Sequence, residues 1–270
     1  MKNMRLKIQL IIIFFLAPLF FCPTVNCQTA LANKKSISKK KQPAKLDVFL
    51  LIGQSNMAGR AEIEPQDKDS LKNVFLFTGI SGKEWEKAAN PLNKYSTVRK
   101  SLSMQKLGPG YTFARQMAKA LKGKQIGLVV NAKGGTSISE WKPGATLYNE
   151  AVKRAKMAMR YGTLKGIIWH QGESDVAKTD TYLKDIAELI QSLRTDLGNP
   201  DLPFVAGQLS EDNTERHAFN EMIIQLPSRV SHTGVITTEG TKTMEGTHFN
   251  SASQRLIGER YAKEMLKLLK

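Results

Sequence analysis

Thiols are almost missing from this chain of 270 residues: there are two cysteines, Cys22 and Cys27, and both lie near the amino terminus. A domain built from the remainder has no cysteine nucleophile, no thiolate metal site and no disulfide framework. Aromatic residues make up only 7% of the chain and are not interleaved with its basic residues, which argues against a stacking platform for nucleic acid. Acidic residues are absent before Asp47, whereas nine of the 40 basic residues fall there. More than half of the +16 formal charge is therefore concentrated at one end. The glycines follow neither a dinucleotide-binding nor a P-loop spacing, and internal repeats are lacking. The one long apolar run, Ile8 to Phe21, contains Pro18 and is short for a membrane span.

What is present begins with that run. Lys2, Arg5 and Lys7 precede it, the order of an export signal. Ala30 and Ala32 supply small residues for cleavage after Ala32, so residues 1–32 read as a signal peptide and the product as secreted or periplasmic. Lipidation of Cys27 is the weaker alternative, because Asn26 is a poor residue to precede a lipid-bearing cysteine. Residues 33–45 read as a basic flexible linker and 46–270 as one folded domain with no stable membrane insertion once the signal is removed.

From Leu46 onward, short apolar runs alternate with longer amphipathic stretches, the pattern of an α/β fold with a parallel sheet. Strands are expected near Leu46 to Gly53, Asn73 to Phe77, Gln125 to Asn131, Leu164 to His170 and Pro203 to Gln208, with Gly234 to Thr237 as an optional sixth. Helical spacing marks Tyr111 to Gly123, Tyr148 to Arg160, Thr179 to Leu197 and a closing helix capped by Asn250 or Ser251. Met104, Met117, Met157 and Met159 read as packing residues.

Polar clusters gather at the ends of these strands. Ser55 follows the first, Gly134 and Gly135 follow the third, and "HQGESD" puts His170, Gln171, Glu173, Ser174 and Asp175 after the fourth. His248 precedes the last helix, three residues beyond Glu245. A serine at such a turn is ordinarily a cap. A nucleophile candidate, a histidine, a carboxylate, paired glycines and a carboxamide at one sheet edge are instead what acyl transfer requires.

The stretches "IGQSNMAGR", "GGTSISEW", "HQGESD" and "GTHFN", in that order, resemble four blocks of the SGNH (GDSL-like) hydrolases, and within them carbohydrate esterase family six and the sialate O-acetylesterase domains. The resemblance implies a three-layer α/β/α fold, flavodoxin-like, with a mainly parallel sheet of about five strands. It implies a serine carbohydrate esterase that needs no cofactor and no metal, acting on an acetylated glycan such as xylan. Sialic-acid O-acetyl esters are the alternative substrate, and a non-catalytic carbohydrate-binding relative the alternative class. Ser55 would be the nucleophile and His248 its base. The oxyanion donors would be the N–H of Ser55, an N–H of Gly134 or Gly135, and the Gln171 side chain, which stands where many relatives have asparagine. Many relatives also carry aspartate where this chain has Glu245, so Glu173 competes with Glu245 for the acid. Trp141 is expected to wall a sugar site or to pack under the glycine loop, and Arg60 to face the pocket or pair on the surface. His217 and His232 lie outside the blocks, and the oligomeric state is not legible.

Overall fold

A computed structural model describes residues 45–212 and 214–270. The expected signal peptide with its cleavage after Ala32, Cys27, and the expected linker up to residue 44 lie outside them. Seven strands form one sheet among the described residues: β1 (Leu46–Gly53), β2 (Val74–Ile80), β3 (Lys83–Lys87), β4 (Ile126–Val130), β5 (Gly162–His170), β6 (Phe204–Gly207) and β7 (Thr233–Ile236). Their order is β3-β2-β4-β1-β5-β6-β7, and every pairing is parallel except β2 with β3.

The sheet has two strands more than the expected five. One is the short β7, expected as optional. The other, β3, reads "KEWEK"; its charges belong on an edge, where they discourage pairing with another chain.

β1 shows why the sheet is covered on both faces. Val48, Leu50 and Ile52 point to one side and Phe49 and Leu51 to the other, and all five are fully buried. On the first side lie α3 (Thr146–Met159), α4 (Thr179–Leu197), and two short helices, α5 (His217–Ile223) and α6 (Leu226–Arg229). On the second lie α2 (Gly110–Ala120) and α7 (Ser251–Leu268), with Phe113 edge-on to Phe49 at 5.3 Å between ring centres. A single turn, α1 (Ser55–Ala58), follows β1 directly. The α4 helix stops where Gly198 takes the left-handed conformation, and the Asn250 side chain accepts the Ser253 N–H to start α7.

Helix α2 ends at Ala120, short of the expected stop at Gly123. Met117 is buried and Met157 and Met159 pack against the core, but Met104 is 41% exposed on a loop. Because β1 sits between β4 and β5, the chain adds strands first on one side of β1 and then on the other. A sheet that switches direction this way leaves a crevice at the carboxyl ends of its central strands. The turns after β1, β4 and β5 all open there.

Candidate active site

The crevice begins where β1 and β5 end side by side. A Cβ on Gly53 would come within 2.2 Å of the His170 carbonyl oxygen, and the Gln54 N–H donates to that oxygen at 2.9 Å. Only glycine lets the two strand ends close up so tightly. The chain then turns straight into α1, which puts Ser55 at its first residue, only 6% exposed. The N–H groups of Ser55, Gly134 and Gly135 donate to no backbone acceptor among the described residues.

His248 comes from the loop before α7. A bridge between Thr243 and Phe249 pinches this loop. Within it the Glu245 carboxylate accepts the His248 backbone N–H at 3.2 Å and, in a closer contact, Nδ1 of the same residue. A carboxylate can only accept, so Nδ1 carries the proton and Nε2 is left as the basic nitrogen. Glu245 is about half exposed and the His248 ring about a quarter.

Asn56, next to Ser55, ties this loop to the end of β1. Its Oδ1 accepts the Phe249 N–H at 3.1 Å, and its Nδ2 donates to the Thr247 carbonyl at 3.1 Å. Both peptide groups flanking His248 are therefore fixed by the neighbour of Ser55. Sequence reasoning missed Asn56 as a site residue; its place beside Ser55 in "IGQSNMAGR" was the available signal. Arg216, buried, also reaches the loop, through Nη2 to Thr247 Oγ1 at 3.1 Å.

Beyond β5 the structure divides roles that the sequence left open. Glu173 does not touch His248: its Oε1 accepts the Asn56 Nδ2 at 2.6 Å and lies 3.8 Å from His170 Nε2. The Tyr261 hydroxyl donates to the Trp169 carbonyl at 2.7 Å, so at its 2.9 Å contact with His170 Nδ1 it accepts. That leaves Nε2 of the wholly buried His170 without its proton when the ring is neutral. Burial lowers the pKa of this imidazole, with Glu173 pulling the other way.

One expectation is corrected here and one open alternative is decided. Gln171 spends both amide N–H groups inside the protein, on the Thr136 carbonyl at 2.9 Å and Asp175 Oδ2 at 2.7 Å, while its Oε1 accepts from the Tyr182 hydroxyl. With two donors and two partners, it has none left for an oxyanion. Its effect is to hold the stretch after the paired glycines against Asp175, which also accepts the Ile138 N–H at 2.8 Å. Trp141 is fully buried, donates to Thr136 Oγ1 at 3.2 Å and stands edge-on to Trp169. It supports the glycine loop from below and cannot wall a sugar site.

Arg60 lies against the glycine loop. A Cβ on Gly134 would fall 2.7 Å from Arg60 Nη2 and 3.3 Å from Ser55 Cβ, so the guanidinium and the nucleophile candidate flank the same glycine. Burial lowers the Arg60 pKa. His217 is exposed, and His232, also exposed, lies 3.5 Å from Asp201. Among the described residues no group of three or more His, Cys, Asp or Glu side chains is placed to hold a metal ion. The arrangement can therefore offer a hydroxyl, a base with a fixed tautomer and fixed N–H donors.

Comparisons with known proteins bear on what such an arrangement is used for. The family model for the carbohydrate esterases described as sialic acid-specific acetylesterases matches residues 45–267. A probable carbohydrate esterase of Arabidopsis thaliana is 35% identical over 179 residues, 58% of this chain and 66% of that protein. The human sialate O-acetylesterase is 26% identical over 214 residues, 63% of this chain and 40% of that protein. The chain thus spans two thirds or less of the length of these curated relatives. A crystal structure of an Arabidopsis thaliana protein superposes with a TM-score of 0.74 at 28% identity, covering 83% of this chain and 99% of that one. A carbohydrate acetylesterase from Xanthomonas citri shares the fold, with a TM-score of 0.62 at 23% identity over 83% of this chain and 56% of that one.

Proposed function

Because the chain belongs to the carbohydrate esterase family described as sialic acid-specific acetylesterases, we propose that it hydrolyses O-acetyl esters on carbohydrate through an acetyl-enzyme on Ser55. His248 Nε2 takes the Ser55 Oγ proton as Oγ adds to the ester carbonyl. The oxyanion so formed receives hydrogen bonds from the Ser55 N–H and an N–H of Gly134 or Gly135. As the oxyanion collapses, the C–O bond to the sugar breaks and the imidazolium returns the proton to the departing alcohol. Water, deprotonated by the same nitrogen, then releases acetate. Glu245 keeps the proton on Nδ1 and balances the imidazolium charge.

The observation that carries this reading is the bond set of Asn56, which joins the turn bearing Ser55 to both peptide groups around His248. The substrate we favour is an acetylated polysaccharide such as acetylxylan. A sialate O-acetyl ester is the second reading, favoured by the 26% identity to the human sialate O-acetylesterase. The proposal extends to export, on the strength of the basic start and apolar run within residues 1–32. Hydrolysis of p-nitrophenyl acetate and of acetylated xylan by wild type and Ser55→Ala tests it. Loss of turnover with an unchanged melting temperature is expected; turnover by Ser55→Ala above about a hundredth of wild type would overturn it, since losing a triad member costs several orders of magnitude.

A further inference from the structure

Some cations of this domain meet carboxylates directly. Arg255, for example, meets Glu64 at 2.9 Å and Asp67 at 2.7 Å. Others, such as the buried Arg154, Arg194 and Arg216, are held by backbone carbonyls or hydroxyls, and what sets Arg60 apart from these is its place beside Ser55 and the paired glycines. Arg60 is partly buried, and its Nη1 is held by the Gly59 carbonyl at 2.7 Å and the Met104 carbonyl at 3.1 Å. Those carbonyls aim the guanidinium but do not neutralise it. The ion pairs among the described residues do not include Arg60 or Lys100.

Lys100 stands at the next glycine of the same loop: a Cβ on Gly135 would lie 3.4 Å from its Nζ. The segment that carries it is exposed yet anchored. The Asn131 side chain accepts the Thr97 N–H at 3.0 Å, and Asn93 both accepts from and donates to the Ala132 peptide at 3.0 Å. Asn93 also donates to Gln105 at 2.7 Å, and the Arg60 contact with the Met104 carbonyl closes the far side. Two cations thus lie along Gly134 and Gly135, on the loop that also touches Ser55, Arg60 held by its carbonyls and Lys100 carried by an anchored segment. The carboxylates across the crevice are already engaged, Glu245 by His248 and Glu173 by Asn56.

We infer that Arg60 and Lys100 form an anion subsite that receives the carboxylate of an acidic sugar while that sugar's acetyl ester lies at Ser55. This rests on the esterase reading above and narrows it. A cation part-way out of water without a counter-ion is costly, and a planar carboxylate offers the free edge of the guanidinium two acceptors. The carboxylate has two sources in glycans, a uronate in a polysaccharide or a sialic acid.

The test uses matched pairs: a mono-O-acetylated methyl glucuronoside with its uncharged methyl ester, and a mono-O-acetylated sialoside with its methyl ester. For wild type, kcat/KM should favour the acid of at least one pair by about 10- to 100-fold, the worth of one charge-assisted hydrogen bond. The pair showing the preference identifies the source. The preference should appear mainly in KM, shrink with added salt, and collapse toward one in both Arg60→Gln and Lys100→Gln. No preference in either pair, or a preference kept by both variants, would overturn the subsite. So would Arg60→Gln slowing both members of a pair equally, since that marks Arg60 as acting on the ester itself. Binding of the same pairs to Ser55→Ala, read by calorimetry, tests the subsite without turnover. Tighter binding of the acid by a wild-type protein that cleaves no ester would sink the esterase reading alone; equal binding of acid and methyl ester would sink the subsite alone.

Discussion

Replacing Glu245 with glutamine removes one negative charge from the far side of His248 and little else. The carboxylate accepts two bonds from that residue, one from the backbone and one from Nδ1, and only the second gains strength when the ring becomes charged. For a deeply buried acid the loss on amide substitution is about 10⁴ in rate. Glu245 is about half exposed, so water screens the attraction. At hydrogen-bond distance the Coulomb energy lies between about 1 kcal/mol in water and about 4 kcal/mol near a protein surface. Trading a charge-assisted bond for a neutral one forfeits roughly half of its strength. A barrier increase of about 1.5 to 3 kcal/mol follows, a fall in kcat of roughly 10- to 150-fold. Initial rates on an acetylated sugar from pH 5 to 9, with a thermal melt as control, would measure it. KM and melting temperature should move little. A change below about threefold, a loss near 10⁴, or a Glu173→Gln variant slower than Glu245→Gln would each refute the reasoning.

Further outcomes follow from the surrounding contacts. Gln171→Met should cost about 1 to 3 kcal/mol of stability in urea unfolding, since Asp175 and Thr136 lose their donor, with a smaller effect on kcat; a hundredfold loss of kcat at native stability would make Gln171 an oxyanion donor after all. Asn56→Ala should lower kcat at least tenfold with little change in KM, because the His248 loop loses both of its ties to the turn carrying Ser55; wild-type kcat would deny it that positioning role. His170 is held neutral by burial, so below about pH 6.5 the unfolded chain binds the extra proton and the fold loses stability as pH falls. Melting temperatures between pH 5 and 7.5 should show that slope flattened in His170→Asn, and an unchanged slope would assign it to other groups.

The sheet was legible because strands buried on both faces are written as unbroken apolar runs, as in "DVFLLIG". β3 was not, since a polar edge strand looks like a loop until its partner is known. Ser55, His248 and the paired glycines could be picked out as candidates because each sits in a short block at a predicted strand or helix end. Choosing between Glu173 and Glu245 was beyond the sequence. Glu173 follows β5 and Glu245 precedes α7, and only the fold shows the first bonded to Asn56 and the second to His248. Gln171 went astray, and Trp141 was left with two readings, for a shared reason: residue type announces what a side chain can do, while burial among Thr136, Asp175 and Trp169 decides what it does. Lys100 carried no local signal at all, because its place beside Gly135 depends on contacts made by Asn93 and Asn131.

Helix α7 starts at the crevice and runs 18 residues to Leu268, about 27 Å at 1.5 Å per residue. Near its end Glu264 packs on Gly234, at the beginning of β7, so Lys270 emerges on the side of the sheet away from Ser55. A carrier, bead or second module joined at Lys270 would hold the domain from behind with the mouth facing outward. An insoluble or surface-bound glycan could then be worked on by an immobilised protein without the attachment standing in the way.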